Sequence, residues 1–267
     1  MLDKLVVQPG KDAKLAGRDP ADKLGLAGKA QGRKQLGVLL PKLDELQGRL
    51  AAEASRGVLL VLQAMDAGGK DGTIRSVFTG VNPQGVQVTS FKVPAGREAQ
   101  HDYLWRVHEA CPGKGELTIF NRSHYEDVLV VRVHGIVPEE RWRKRYRHIR
   151  EFERMLHDEG TTVVKVMLHI SPDEQRARFQ DRIDDPAKRW KFRTGDLDDR
   201  KRWNEFQAAY EEMLTETSTE WAPWYVVPAD RNWVRDVAVA QLLVHHLTAL
   251  DPQYPQGDPA IVGTKVV

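Results

Sequence analysis

Five short apolar runs punctuate the chain and separate segments of helical periodicity. They are VLLVLQA (58–64), VQVTSFK (86–92), ELTIFN (116–121), VVKVMLHI (163–170) and WYVVPA (224–229). Several are apolar at nearly every position instead of alternating, the pattern of strands buried on both faces. Such strands need helices above and below them, so the alternation predicts a parallel sheet covered on both sides. Leu36, Leu39, Leu40, Leu43, Leu46 and Leu50 share one face of a helix expected from about Gln31 to Glu53. The segment PEERWRKRYRHIREFERMLHDEG has Pro138 at its start, Glu139 and Glu140 in its first turn and Gly160 just past its end. A last helix is expected from about Trp233 to Leu250, with Asn232 as its N-cap. Residues 1–30 are polar and weakly periodic and read as an irregular, draped arm on a single domain spanning 31–267.

Composition narrows the class. The 267 residues are 41% hydrophobic and 29% charged, ordinary for a globular protein with a sizeable core. The 40 basic and 38 acidic residues leave a net charge of +2, so a generic polycation is excluded and any polyanion site must come from local clustering. Cys111 is the only cysteine, which rules out an internal disulfide and fits a reducing cytoplasm. No apolar run reaches membrane-spanning length, and MLDKLVVQPGKDAK lacks the apolar core of a signal peptide. Neither a membrane nor a nucleic-acid partner is expected.

The first apolar run leads into MDAGGKDGT and then a helical pattern. In G-x-x-x-x-G-K-[ST], backbone N–H groups wrap phosphates, the lysine contacts them and the hydroxyl holds magnesium. Here Gly69 and Lys70 match, Ala64 replaces the first glycine and Asp71 takes the hydroxyl's slot. Ala67, Gly68, Gly69, Lys70, Asp71, Gly72 and Thr73 form the expected phosphate cradle. The bland alternative is a glycine-rich turn with a surface lysine. Asp66 is informative, because a carboxylate beside polyphosphate is repelled unless a divalent cation lies between them. It reads as a magnesium ligand, as a group that orients an acceptor oxygen, or as a turn-forming or helix-capping aspartate.

The third run continues into FNRSHYEDVLVVRVHG. Asn121 stands where an aspartate usually ends such a strand. Arg122 and Arg132 are candidates for phosphate or nucleotide oxygens. Glu126 and Asp127 are adjacent and cannot both face one point from a regular helix, so one suits nucleotide and the other metal. Local salt bridges are the alternative. In RWRKRYRHIREFER, Trp142, Tyr146, Ile149 and Phe152 form an apolar face, which makes the basic residues a solvated surface. The segment 171–222 is long, charged and helical, opens at Ser171-Pro172-Asp173-Glu174 and is broken by Pro186 and Gly195. It reads as a lid. Its Arg178, Arg182, Lys188, Arg189, Lys191 and Arg193 either close over phosphates or pair with Asp181, Asp184 and Asp185. His245 and His246 read as structural, and Cys111 has no evident catalytic partner.

The ordered set QAMDAGGKDGT, VNPQGV, YLWRVH, FNRSHYEDVLVVRVHG, KRYRHIREFERML, DPAKRWKFRTGDL and ETSTEWAPWYVVPA resembles the family-2 polyphosphate kinases, from about Gln31 to Leu250. The resemblance implies an α/β, P-loop kinase-like, three-layer αβα sandwich with a five-stranded parallel sheet and a helical lid. It implies phosphoryl transfer between inorganic polyphosphate and adenine nucleotides (AMP to ADP, ADP to ATP), using Mg2+, by a homodimer or homotetramer. By position, Asp66, Lys70, Arg122 and Arg182 resemble catalytic residues, with Lys188, Lys191 and Arg193 on phosphate. Asn121, Arg122, Glu126 and Arg132 would serve the nucleotide, and Asp66 and Asp127 the metal. Asn121 departs from the aspartate common in the family and leaves the second magnesium ligand open. The FNRSHYED version resembles the subgroup that accepts AMP as well as ADP. The rival readings are an ATP-dependent nucleoside monophosphate kinase and a non-catalytic polyanion-binding P-loop protein.

Overall fold

A computed structural model describes residues 1–265. Helix α1 (Lys29–Glu53) leads into strand β1 (Gly57–Ala64), then α2 (Lys70–Val77), β2 (Val86–Ser90), α3 (Trp105–Glu109) and β3 (Leu117–Asn121). Helices α4 (Glu126–Val133) and α5 (Glu139–Asp158) precede β4 (Thr161–His169). A helical segment of α6 (Pro172–Asp184), α7 (Gly195–Lys201) and α8 (Trp203–Thr217) follows, then β5 (Trp224–Pro228) and α9 (Asn232–Leu250). All five apolar runs are strands. They form one sheet in the order β2-β3-β1-β4-β5, with every neighbouring pair parallel. Helices α1 and α9 pack together on one face, and α4, α5 and α8 on the other.

The central strands explain their own composition. Every residue of β1 is buried, because helices cover both faces. The edge strand β2 is only partly buried and stops at Ser90, two residues short of its apolar run. Phe91 then turns inward and meets the Phe120 ring edge-on at 4.9 Å. In α1, Leu39, Leu43, Leu46 and Leu50 face the core at helical spacing. Gly32 is required there, since a Cβ would sit 2.7 Å from the Trp233 ring. Ser171 caps α6 by accepting from the Glu174 N–H at 3.1 Å, with Pro172 in the first turn. Asn232 does not cap α9 as expected. It lies inside the first turn, and its Oδ1 accepts from Arg235 at 2.9 Å.

The N-terminal arm adds an antiparallel bridge, Val6 to Tyr225, on the free side of β5. Val7 N donates to Trp224 O at 2.8 Å and Val226 N to Leu5 O at 2.9 Å. Leu5, Val7, Ala13 and Leu15 are buried in the common core. The arm therefore covers an edge whose N–H and C=O groups would otherwise be free. Among the described residues no helix is long and apolar enough to cross a membrane.

One fully buried polar cluster joins the layers. Lys165 Nζ on β4 donates to Glu153 Oε2 on α5 at 2.6 Å, to Tyr125 Oη at 3.0 Å and to the Thr217 carbonyl at 2.6 Å. Tyr125 donates to Glu153 Oε1 at 2.6 Å. Burial alone would raise the Glu153 carboxyl, but the Lys165 ammonium and His124 together outweigh it and hold the group below the usual glutamate range. Removing one partner of a buried pair strands the other charge and costs about 3–5 kcal/mol. Glu153→Gln is therefore expected to lower the melting temperature by roughly 10 °C. Because the folded-state value is depressed, this contribution is complete above the unfolded value of about 4.3 and is lost as pH falls below it. Thermal melts of both proteins across pH 3–7 measure the offset and its disappearance at the acid end.

Candidate active site

In an open parallel sheet the loops leaving the carboxyl ends of the strands gather at one edge. The register aligns Leu62 of β1 with Asn121 of β3, so the turns after these two strands lie side by side. After Ala64 the chain makes a tight loop and enters α2 at Lys70. Ala67 and Gly69 take positive φ values of 60° and 102°. A Cβ at Gly68 would fall 2.4 Å from the Ala64 Cβ, so that position tolerates only glycine. Lys70 is buried, and its Nζ donates to the Ala64 carbonyl at 2.8 Å, which orients the ammonium and leaves two donors. Burial, with Arg122 adding to it, pushes the Lys70 ammonium below its ordinary value.

Asp66 meets Arg122, whose Nη2 donates to Asp66 Oδ1 at 2.8 Å. Arg122 itself has φ of 66°, an unusual conformation that turns its side chain back over the loop. Burial disfavours its charge, but Asp66 and Glu126 outweigh that and raise it. Glu126 opens α4 beside this pair. Burial pushes its carboxyl up, while Arg122 and Lys70 favour the charged form. Asn121 Nδ2 donates to Asp71 Oδ1 at 2.8 Å, tying the β3 turn to the first turn of α2.

A cleft of about 1850 Å³ opens over the loop. Its floor is Asp66 to Gly72 with Asn121 and Arg122, and one wall is Ser90 to Val93. The opposite wall comes from the 172–217 segment and carries Arg182, Lys188, Lys191 and Arg193. Lys191 Nζ reaches within 3.8 Å of Asp71 Oδ2 across the cleft. Lys188 is already paired, with Asp181 at 2.9 Å and Asp185 at 3.1 Å. Arg182 lies over the Phe179 ring at 5.7 Å, with its charge toward the cleft.

Four expected site residues, Glu126, Asp127, Arg132 and Thr73, do not line the cleft. Asp127 accepts from Arg145 Nη1 at 3.0 Å, in contact with α5. It is buried there and does not line the cleft, so the metal role expected of it is corrected to a structural ion pair. Arg132 donates to Glu212 at 2.6 Å and stacks on Trp142 at 4.6 Å. It joins α4 to α5 and α8 and does not face the cleft. Thr73 is fully buried, and its hydroxyl donates back to the Gly69 carbonyl at 3.1 Å, so it braces the cradle. His246 pairs with Tyr225 at 3.0 Å and is structural, with burial pushing it down to about 4. Burial pushes the Cys111 thiol up to about 12, which removes thiolate chemistry.

The sequence reading missed Arg235 and Gln175. Arg235 is 3% exposed and lies flat against the loop, so that a Cβ at Gly69 would sit 2.1 Å from its Nη1. It is held by Asp236 at 2.7 Å. No motif marks it, since it sits in a helix far along the chain.

Among the described residues no group of three or more His, Cys, Asp or Glu converges on one point. Burial, with the Asp66 charge adding to it, raises the carboxyls of Asp196 and Asp199 across the cleft. The site thus offers oxygen donors whose charge is under-compensated, but no closed cage. That fits Mg2+, which keeps waters and shares its shell between one or two carboxylates and substrate phosphates.

Arg182→Ala is expected to cut turnover of any phosphoryl transfer here by 10-fold or more, while the melting temperature stays within a few degrees. Arg132→Ala is expected to do the reverse, leaving nucleotide KM unchanged and lowering the melt. Paired kinetics and melts on the two variants read both outcomes.

Comparison with known proteins agrees with this geometry. The family model for Polyphosphate kinase 2 (PPK2) matches residues 27–255. A protein of Meiothermus ruber named AMP/ADP-polyphosphate phosphotransferase is 59% identical over 260 residues, 97% of each chain. One from Rhodopseudomonas palustris named ADP-polyphosphate phosphotransferase is 47% identical, over 82% of this chain and 80% of its own. The crystal structure of polyphosphate kinase 2 from Arthrobacter aurescens TC1 superposes with a TM-score of 0.92 at 44% identity, covering 96% of this chain and 92% of that one. With the family model spanning most of the chain and relatives this similar across nearly their whole length, the protein belongs to the polyphosphate kinase 2 family.

Proposed function

We propose that the protein transfers phosphoryl groups directly between inorganic polyphosphate and adenine nucleotides, taking AMP to ADP and ADP to ATP. The observation that carries this is one cleft in which a phosphate-type loop with an internal carboxylate faces a wall of arginines and lysines. The similarity to the Meiothermus ruber AMP/ADP-polyphosphate phosphotransferase supports AMP as an acceptor.

The chemistry asks the protein to bring two polyanions end to end. The backbone N–H groups of Gly69 to Gly72, at the start of α2, and the Lys70 ammonium hold one set of phosphate oxygens, while the N–H groups of Gly68 and Thr73 are used within the loop itself. Arg122 holds the approaching group while staying tethered to Asp66. Arg182, Lys191 and Arg193 close from the opposite wall as a lid and spread positive charge along the chain. A dissociative transfer places charge on the equatorial oxygens, so these fixed cations act most strongly in the transition state. Asp66 would hold Mg2+, which screens the repulsion between donor and acceptor when bound. Glu126, beside Arg122 and Lys70, would orient the acceptor phosphate or ribose. No covalent intermediate is needed. The reading includes a cytoplasmic setting, supported by the lone cysteine, and a homo-oligomer, supported by family resemblance.

The direct test is purified protein with magnesium, polyphosphate and AMP, with ADP and ATP followed over time. ADP and then ATP are expected. Product from ADP alone would remove the AMP assignment, and product only when ATP replaces polyphosphate would mark an ordinary monophosphate kinase.

Lys70 and Asp66 are expected to fail differently. Lys70→Ala abolishes transfer at every magnesium concentration. Asp66→Asn keeps the shape but not the charge, so turnover falls by roughly 10² to 10³ and half-saturation moves to higher magnesium. Turnover titrated against magnesium for wild type and both variants shows it. Near wild-type behaviour in Asp66→Asn would reduce Asp66 to a turn residue.

A further inference from the structure

Helix α6 is fastened to the phosphate loop by two side chains one turn apart. Gln175 Nε2 donates to the Asp66 carbonyl at 3.0 Å, and Arg178 Nη1 to the Ala67 carbonyl at 2.9 Å. These are consecutive carbonyls at the point where Ala67 takes its positive φ. Gln175 is 1% exposed, so its amide has only protein groups to bond with. Its other end is also engaged. Gln175 Oε1 accepts from Arg200 Nη1 of α7 at 3.0 Å, and the same nitrogen donates to the Pro172 carbonyl at 2.7 Å. A continuous chain of hydrogen bonds thus runs from α7 through Gln175 to the residue that carries the cleft's central carboxylate.

The surroundings give that chain something to transmit. Asp199 of α7 meets His134 at 2.8 Å, and the adjoining Arg202 donates to the Val133 carbonyl at 2.6 Å. Helix α7 therefore bridges the end of α4 and the start of α6 over the cleft. A neutral amide suits the middle position, since it donates at one end and accepts at the other. A carboxylate there would have no proton for the Asp66 carbonyl, and a cation would have no lone pair for Arg200.

We propose that Gln175 is a positioning residue that couples the placement of α7 to the conformation of the Asp66–Gly69 loop, so that the cationic wall and the loop adopt their working arrangement together. Arg200 acts through Gln175 and does not line the cleft. This rests on the phosphoryl-transfer reading above only for its kinetic consequence. The coupling itself is a property of the fold.

The test is a double-mutant cycle with Gln175→Met, Arg200→Met and the pair, with Gln175→Glu as a fourth variant that keeps the acceptor for Arg200 and removes the donor to Asp66. Thermal melts select the folded variants, and Gln175→Glu with Arg200→Met suffices if Gln175→Met does not fold. Two readouts are taken. Hydrogen exchange of the amides of residues 66–72 is expected to accelerate in each variant, including Arg200→Met, whose side chain touches none of them. Turnover with polyphosphate and nucleotide is expected to fall by between about 3- and 30-fold in each single variant, with KM for polyphosphate within about twofold. The pair should be no slower than the slower single variant. Additive losses, or unchanged loop exchange in Arg200→Met, overturn the proposal. An inactive wild type would refute the function reading and leave the exchange result to decide this one.

Discussion

Everything at the cleft depends on parallel strands ending together. The Leu62 to Asn121 register fixes the distance between two turns that the sequence separates by more than fifty residues. Because β1 and β3 are direct neighbours, Arg122 on one turn reaches Asp66 on the other without a long, floppy side chain spanning open space. An antiparallel pairing would send the second turn to the opposite end of the sheet. The apolar strands that look purely structural are what bring the charges together.

Positive charge around the loop is held in place by the protein itself. Lys70, Arg178 and Arg235 surround the loop, and each is pinned by carbonyls or carboxylates at its own position. Fixed cations do not have to be gathered when negative charge develops, which is where preorganised sites gain over water. Their cost is burial, visible in the lowered ammonium of Lys70 and the lowered guanidinium of Arg235. Asp236 offsets part of that cost for Arg235, so this cation supports the loop's shape more than it adds net charge.

Much of the fold was legible because fully covered parallel strands leave an unmistakable apolar signature, and because Pro138, Gly160 and Ser171 punctuate helices where they were read to do so. The loop was legible because its glycines and lysine sit between a strand and a helix. Helix azimuth was not. Glu126 and Asp127 are neighbours in sequence but point about 100° apart, and only the packing of α5 with its Arg145 decides that Asp127 is held in an ion pair there while Glu126 stays near Arg122 and Lys70. Arg132 resembled a phosphate ligand because a structural guanidinium and a functional one have the same letter, and its partner Glu212 lies 80 residues away. Gln175 and Arg235 were invisible for a related reason. Each acts on backbone that the sequence does not associate with it.

The bridge between the N-terminal arm and β5 has a consequence for how the chain acquires its structure. The Ser218 hydroxyl donates to the Val7 carbonyl across 211 positions. On a ribosome adding about 5–20 residues per second, the arm waits roughly 10–40 s for its partner strand to exist. During that interval Leu5, Val7 and Leu15, later fully enclosed, have no final resting place. Contacts of such high sequence separation are closed late, after the entropy of the intervening chain has already been reduced by the sheet. Until the arm docks, the outer edge of β5 presents free N–H and C=O groups that invite pairing with another copy.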